Sequence, residues 1–144
     1  MTLSSNSATR ALPSWLDLSG QVAVVSGGGT HLGLGMAQAL GELGASVYLL
    51  GRRQDVVQAS AVALQEKGLQ AFAIAADAAD EAAMDKVVQD LLAKHGRLDV
   101  MLCNAGGAFG QRMAPNISLA DLEATLRLNV GTTLVCAQAA VPRW

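Results

Sequence analysis

Short apolar segments alternate along the chain with longer stretches in which apolar residues recur every three or four positions. The apolar segments begin at Val22, Val47, Ala71 and Val100, and Ala- and Leu-rich amphipathic stretches separate them. Strands that alternate with helical stretches are typical of parallel βαβ units. Each apolar segment is continuous, as expected for a strand covered by helices on both faces. The pattern therefore predicts an α/β fold, a Rossmann-type doubly wound parallel sheet.

Glycines and capping side chains set the limits of these elements. Gly44, Gly68 and Gly96 each stand between an amphipathic stretch and the next strand, where glycine often ends a helix. Asp80 and Ser118 are placed to cap the helices that follow them, and Asp121 completes a pattern like a capping box. The predicted strands are residues 22–25, 47–50, 71–74 and 100–103, and the predicted helices are residues 32–43 and 54–67, one from Asp80 to residue 95, and one from Ser118.

The predicted domain organisation is simple. Right-handed crossovers lead to the strand order 3-2-1-4 with all strands parallel. Residues 1–15 are rich in Ser and Thr and are expected to form a flexible tail, and residues 16–144 a single α/β domain. Strand four would be an uncovered edge if the sheet stopped there. We therefore expect a domain truncated after the helix that follows strand four.

A glycine-rich turn joins strand one to the first helix. Backbone N–H groups and the dipole at a helix N-terminus favour an anion, and glycines allow a close approach to the pyrophosphate of a dinucleotide. A plain loop is the alternative, but the position inside a βαβ unit favours binding. No Gly-Lys-Ser/Thr follows, which excludes a Walker loop. The residues expected to contact the cofactor here are Ser26, Gly27, Gly29, Thr30, His31, Leu32 and Gly33.

The end of strand two is where such folds select the cofactor. An acid there binds the adenosine ribose of NAD, whereas arginine accommodates the 2′-phosphate of NADP. This chain has Gly51, Arg52 and Arg53, with no acid before Asp55. A solvated basic pair at a helix start is the alternative. The sequence favours NADP(H) over NAD(H), bound by Arg52 and Arg53.

These landmarks resemble those of the short-chain dehydrogenase/reductase family over essentially all of residues 16–144. The turn from Ser26 to Gly33 resembles the family's Thr-Gly-x-x-x-Gly-x-Gly loop, and Cys103-Asn104-Ala105-Gly106 resembles its Asn-Asn-Ala-Gly signature. The resemblance implies that Asp77 contacts the adenine and that Asn104, Ala105 and Gly106 join the cofactor site. It also implies that Asn129 is the family's fourth catalytic residue. An asparagine that relaxes the middle of a helix is the alternative.

The chain departs from the family pattern in three ways. His31 replaces the middle glycine of the loop, and Cys103 replaces the first asparagine of the later signature. The family's catalytic serine and its Tyr-x-x-x-Lys pair have no counterpart, because the only tyrosine is Tyr48, in strand two, with Arg52 four positions on. We therefore expect the 144-residue chain alone to be inactive.

The resemblance implies an NAD(P)-dependent oxidoreductase that transfers hydride between nicotinamide and a carbonyl, an alcohol or an activated double bond of a small-molecule substrate. The glycine turn is similar to that of 2,4-dienoyl-CoA reductases, and Gly-Arg-Arg with Asn-Ala-Gly-Gly is similar to sugar-acid oxidoreductases of the mannonate type. A non-catalytic dinucleotide-binding or regulatory module is the alternative function. Relatives commonly pair through the helix that begins near Ser118, which implies a homo-oligomer.

Composition and net charge limit which other classes of protein remain possible. A formal charge of −2 provides no basic surface for nucleic acid. No apolar run approaches the roughly 20 residues of a membrane span. Cys103 and Cys136 match neither a metal-ligand nor a disulfide spacing, so we expect two small buried side chains, no metal site and a reducing, cytoplasmic setting.

Overall fold

The computed structural model describes residues 13–110 and 114–141. Most of the predicted tail, residues 1–12, therefore lies outside the described residues, as do the last three residues of the chain. The described part opens with a short 3-10 helix, Ser14–Leu16, directly before the first strand.

Four parallel strands form one sheet in the order β3-β2-β1-β4, which confirms the predicted topology. Strand β1 pairs with β2 on one side and with β4 on the other, and β2 also pairs with β3. Because the strands are parallel, the turns after all of them lie at one edge of the sheet. The strands are β1 (Val22–Ser26), β2 (Ser46–Gly51), β3 (Ala71–Ala75) and β4 (Val100–Leu102).

The helices begin and end close to the predicted positions. Asp80 accepts a hydrogen bond from the N–H of Ala83, and Gly96 closes the same helix with a φ of 71°. The second helix ends two residues early, before a turn that reaches Gly68 with a φ of 83°. The helices are α1 (His31–Glu42), α2 (Gln54–Gln65), α3 (Glu81–His95), α4 (Leu119–Leu126) and α5 (Thr132–Ala140).

The sheet is covered on both faces, as the continuous apolar strands predicted. Alternate residues of a strand point to opposite faces. Val24 and Leu50 belong to the cluster that includes α3 and α5, and Val25 and Leu49 to the cluster that includes α1 and α2. All four of these side chains are fully buried.

The helix predicted after strand four is interrupted. Between α4 and α5 the backbone forms a π-helix, Arg127–Gly131, instead of a regular helical turn. The Nδ2 group of Asn129 donates to the carbonyl of Thr125, and the Thr132 hydroxyl donates to the carbonyl of Leu128. Such side-chain bonds to helix carbonyls compete with the regular ladder. Single π-turns inside helices are frequent at functional sites.

Candidate functional site

A cavity of about 570 Å³ opens at the carboxyl edge of the sheet. Ligands of open α/β sheets bind at this edge, near the point where the strand order reverses. The turns after all four strands contribute to the cavity wall. Of the predicted cofactor residues, those that line it are Gly27, Gly29, Thr30, Arg52, Arg53, Asp77, Ala105 and Gly106.

The glycine turn is packed too tightly for side chains. Gly27 has a φ of 65°, a conformation that L-residues rarely adopt. A Cβ atom added to Gly33 would collide with the carbonyl oxygen of Gly27, and one added to Gly28 would lie 2.7 Å from the carbonyl oxygen of Val25. The chain therefore needs glycine here to bring its backbone to the edge of the cavity.

Ser26 and Asn104 join the turn to the end of β4 and do not line the cavity. The buried Ser26 hydroxyl donates to the carbonyl of Leu102 (3.2 Å) and accepts from the N–H groups of Asn104 (2.9 Å) and Ala105 (3.0 Å). The Asn104 amide donates in return to the carbonyl of Ser26 at 3.1 Å. These bonds fix Gly27 against Ala105, so the two residues predicted as ligand contacts support the cavity wall.

His31 and Leu32 stand at the outer edge of the turn. Neither lines the cavity, and both are exposed. His31 has a φ of 46°, the only positive φ of a non-glycine residue in the described ranges. Histidine tolerates this conformation better than most residues but is still strained in it.

Arg52 and Arg53 lie on the cavity wall between β2 and α2, with Arg53 as the residue that precedes the helix. Both side chains are exposed, and within residues 13–110 and 114–141 neither has an acidic partner at salt-bridge distance. Asp77 lines the same cavity, and its carboxylate accepts the N–H of Ala79 at 2.9 Å. The wall therefore carries two guanidinium groups without an acidic partner among the described residues, and one carboxylate.

Asn129 does not line the cavity. Its Oδ1 atom accepts the N–H of Gly107 (3.2 Å), and its Nδ2 group donates to the carbonyls of Gly107 (2.6 Å) and Thr125 (2.7 Å). The side-chain amide is therefore occupied by the loop after β4 and by the π-helix. This geometry favours the alternative that the sequence left open, an asparagine that relaxes a helix.

Sequence reasoning missed several residues of the cavity wall. Thr132 is buried, and its hydroxyl lies 2.5 Å from the carbonyl of Leu128 and 3.2 Å from that of Ala105. Leu128 lines the cavity beside it. The helical pattern alone gave no sign of them, because their position depends on the π-helix. The other missed residues are Leu50, Gly51, Val56, Val57 and Ala78.

The two cysteines lie together although 32 residues separate them in the chain. Burial raises the pKa of the Cys136 thiol to about 12, and the Cys103 thiol beside it acts in the same direction. Burial also raises the pKa of Cys103, while a hydrogen bond with Cys136 opposes the change. Both thiols therefore stay protonated near neutral pH. Cys136 is buried, as the sequence predicted, whereas Cys103 is only partly buried. The described ranges contain no group of three or more metal-ligating side chains.

Tyr48 is buried in the sheet, at 5% exposure, as predicted for a strand residue. Its hydroxyl lies 2.7 Å from His95 Nε2 and accepts from Lys94 Nζ at 3.0 Å. Its ring stacks on Phe72 at 4.8 Å. Since Tyr48 does not line the cavity, it contributes packing and no chemistry there.

The fold and the cavity place the chain among Rossmann-type α/β proteins. The profile described as short chain dehydrogenase matches residues 21–144. The peroxisomal 2,4-dienoyl-CoA reductase of Arabidopsis thaliana is 31% identical in an alignment of 125 residues that covers 83% of this chain and 40% of the reductase. The chain belongs to the short chain dehydrogenase family.

Solved structures agree with this assignment. The NADP complex of RhlG from Pseudomonas aeruginosa superimposes with a TM-score of 0.81 at 30% identity, over 92% of this chain and 51% of that one. A metagenomic short-chain oxidoreductase in complex with NADP gives a TM-score of 0.78 at 31% identity, over 87% of this chain and 57% of that one. The chain spans less than half the length of the curated relatives it matches. Among the described helices, none is long and apolar enough to cross a bilayer.

Proposed function

We propose that the cavity binds NADP(H) in preference to NAD(H), and that the chain is the cofactor-binding part of an oxidoreductase. One juxtaposition carries the proposal: a glycine turn with no room for side chains and two unpaired arginines border the same cavity. The turn suits a pyrophosphate, and the arginines suit the 2′-phosphate that distinguishes NADP from NAD. Both solved relatives described above contain NADP.

The bound cofactor would supply the hydride, and the residues of this chain would hold it. Gly29 and Thr30 would contact the pyrophosphate, Arg52 and Arg53 the 2′-phosphate, and Asp77 the adenine. His31, Leu32 and Gly33 complete the turn. Asn129, through its bonds to Gly107, fixes the loop beside Ala105 and Gly106. The reaction is hydride transfer to or from a carbonyl, an alcohol or an activated double bond of a small molecule.

We also propose a cellular compartment and an oligomeric state for the whole protein. Two unpaired thiols suit a reducing compartment, which favours the cytoplasm.

The helical segment that begins after Ser118 carries apolar side chains that are more than half exposed: Leu119, Leu126, Val130 and Leu134. Apolar surface of this kind marks interaction sites, and we assign it to pairing of two copies of the protein.

Calorimetric titration of NADP⁺ and NAD⁺ tests the cofactor preference. We expect Arg52→Ala to weaken NADP⁺ binding about tenfold to a hundredfold, because a charge-assisted contact is worth about 1.5–3 kcal/mol. Binding of NAD⁺, which lacks the 2′-phosphate, should change little. Arg53→Ala shows whether the second arginine shares the contact.

The matched control is Lys86→Ala, which removes an exposed cation paired with Asp90 on α3 and should leave both affinities unchanged. Equal affinities for NADP⁺ and NAD⁺ in the parent chain would contradict the proposed preference. A preference that survives the loss of both arginines would also contradict it.

A further inference from the structure

Helix α2 is bonded directly to the glycine turn. The Ser60 hydroxyl donates to the carbonyl oxygen of Gly29 at 2.7 Å, across 31 residues of sequence. A serine inside a helix commonly bonds a carbonyl of its own helix. Ser60 instead uses its single donor on a loop at the edge of the cavity.

Packing holds the same contact in place. A Cβ atom at Gly29 would lie 3.0 Å from the side chain of Val57 and 3.2 Å from that of Val56. Both valines line the cavity, one turn before Ser60 on α2. The Gly29 backbone therefore rests on α2 with little freedom to tilt.

The hydrogen bond determines which way the next N–H group points. A trans peptide is planar, so its C=O and its N–H point in opposite directions. With the Gly29 carbonyl directed at Ser60, the Thr30 N–H is directed away from that hydroxyl. Among the described residues, no acceptor bonds the N–H groups of Gly29 and Thr30. Both residues line the cavity.

We propose that Ser60 is a positioning residue, which orients the Gly29–Thr30 peptide so that the Thr30 N–H donates to the pyrophosphate of the bound dinucleotide. This inference rests on the proposed function. It also gives α2 two tasks, since Arg53, which we propose binds the 2′-phosphate, directly precedes this helix. One rigid helix would then fix the distance between the two phosphate sites.

The test compares NADP⁺ with 2′-AMP, which carries the 2′-phosphate but no pyrophosphate. We expect Ser60→Ala to weaken NADP⁺ binding about threefold to tenfold, the effect of one hydrogen bond, and to leave 2′-AMP binding unchanged. Ser60→Thr keeps the hydroxyl and should restore NADP⁺ affinity. Ser46→Ala is the matched control, because it removes an exposed Ser46–Gln70 hydrogen bond at the start of β2.

A measurement on the parent chain tests the same inference without requiring that any variant folds. Amide hydrogen exchange of Thr30 should slow when NADP⁺ binds and should not slow with 2′-AMP. The inference is overturned if NADP⁺ leaves this exchange unchanged, or if Ser60→Ala weakens both ligands equally or neither. A parent chain that binds neither NADP⁺ nor NAD⁺ overturns the proposed function itself, whereas normal binding with an unaffected Ser60→Ala variant overturns the role of Ser60 alone.

Discussion

His31 is the residue at which the chain accepts conformational strain. His31 is the first residue of α1 and has a φ of 46°. It is exposed, and its side chain has no hydrogen-bond partner among the described residues. A left-handed conformation costs a non-glycine residue about 1–2 kcal/mol. The strained backbone of His31 is therefore part of the turn that the proposed cofactor would contact.

Substitution of His31 by glycine should relieve this strain. We expect His31→Gly to raise the free energy of unfolding by about 1 kcal/mol, the cost of the left-handed conformation less the flexibility that glycine adds to the unfolded chain. Urea denaturation of the parent and the variant measures the difference.

Thr30→Gly is the control for this experiment. Thr30 has an extended backbone with a φ of −150°, so glycine there relieves no strain and should lower stability. Equal or lower stability of His31→Gly would contradict the strain at residue 31.

The residue types in the motifs predicted where the site lies better than they predicted what each residue does there. Gly27, Arg52 and Asp77, predicted to contact the cofactor, line the cavity. Ser26 and Asn104 lie within the predicted motifs but bond each other's backbone, because the hydroxyl and the amide are the nearest partners for the polar groups where β1 and β4 end. Such a choice between ligand and backbone depends on distances that a linear sequence does not contain.

At the scale of elements, local chemistry placed the helix ends and failed inside the last helix. Asp80, Gly96 and Ser118 act on neighbouring residues, so their effects could be predicted from sequence. In the π-helix, Asn129 bonds Gly107, which lies 22 residues earlier in a loop. A periodic pattern of apolar residues reflects only local sequence, so it does not reveal such a long-range bond.

Asp99 joins β4 to β1 through its side chain and its backbone. Its carboxylate accepts the N–H of Val22 at 2.8 Å, and its own N–H donates to the carbonyl of Val22 at 2.9 Å. The hydrogen bond from Arg97 lowers the pKa of the Asp99 carboxyl, the Val22 N–H acts in the same direction, and burial opposes both. The ionised form is therefore the one that stabilises the strand pair.

Asp99→Asn should lower the free energy of unfolding by about 1 kcal/mol at pH 7, because it removes the charge from these bonds. A folded-state pKa below the unfolded value of about 3.9 means that the stabilisation is complete above that value and disappears as the pH falls through the folded pKa. The two stability curves should therefore converge in acid, as urea denaturation between pH 7 and pH 2 would show.

Asp90→Asn provides the comparison. Asp90 pairs with Lys86 on the surface of α3 with 65% of its side chain exposed, and exposed pairs contribute little to stability. A difference between parent and Asp99→Asn that stays constant down to pH 2 would contradict the role of the ionised carboxylate.

At the scale of the molecule, the parallel topology assembles the site. Turns that are far apart in sequence meet at one edge because all four strands run in the same direction. The fold class, the strand order and the location of the cavity could therefore be predicted from hydrophobic pattern and handedness. The contribution of Leu128 and Thr132 to the cavity wall could not, because Leu128 lies within the π-helix and Thr132 directly follows it.

The 144-residue chain should bind NADPH without oxidising it. Its sole tyrosine is buried against His95 and Lys94, and the family's serine and Tyr-x-x-x-Lys pair have no counterpart in the sequence. Absorbance at the NADPH band, followed with a panel of carbonyl and enoyl substrates, should show only background decay. A full-length family member assayed in parallel verifies the panel, and oxidation proportional to the amount of this chain would contradict the expectation.

The position of β1 between β2 and β4 has a consequence for the order of folding. Val22 pairs with Ser46 on one side, but its bond to Asp99 on the other spans 77 residues. Distant pairings pay a larger loop-closure entropy and form slowly. During synthesis, β1, β2 and β3 leave the ribosome and can associate well before β4 is available. Ala105 and Gly106 follow β4 directly, and Leu128 and Thr132 come still later in the chain, so the cavity wall is completed only after β4 has paired, and a nascent chain acquires its ligand site late.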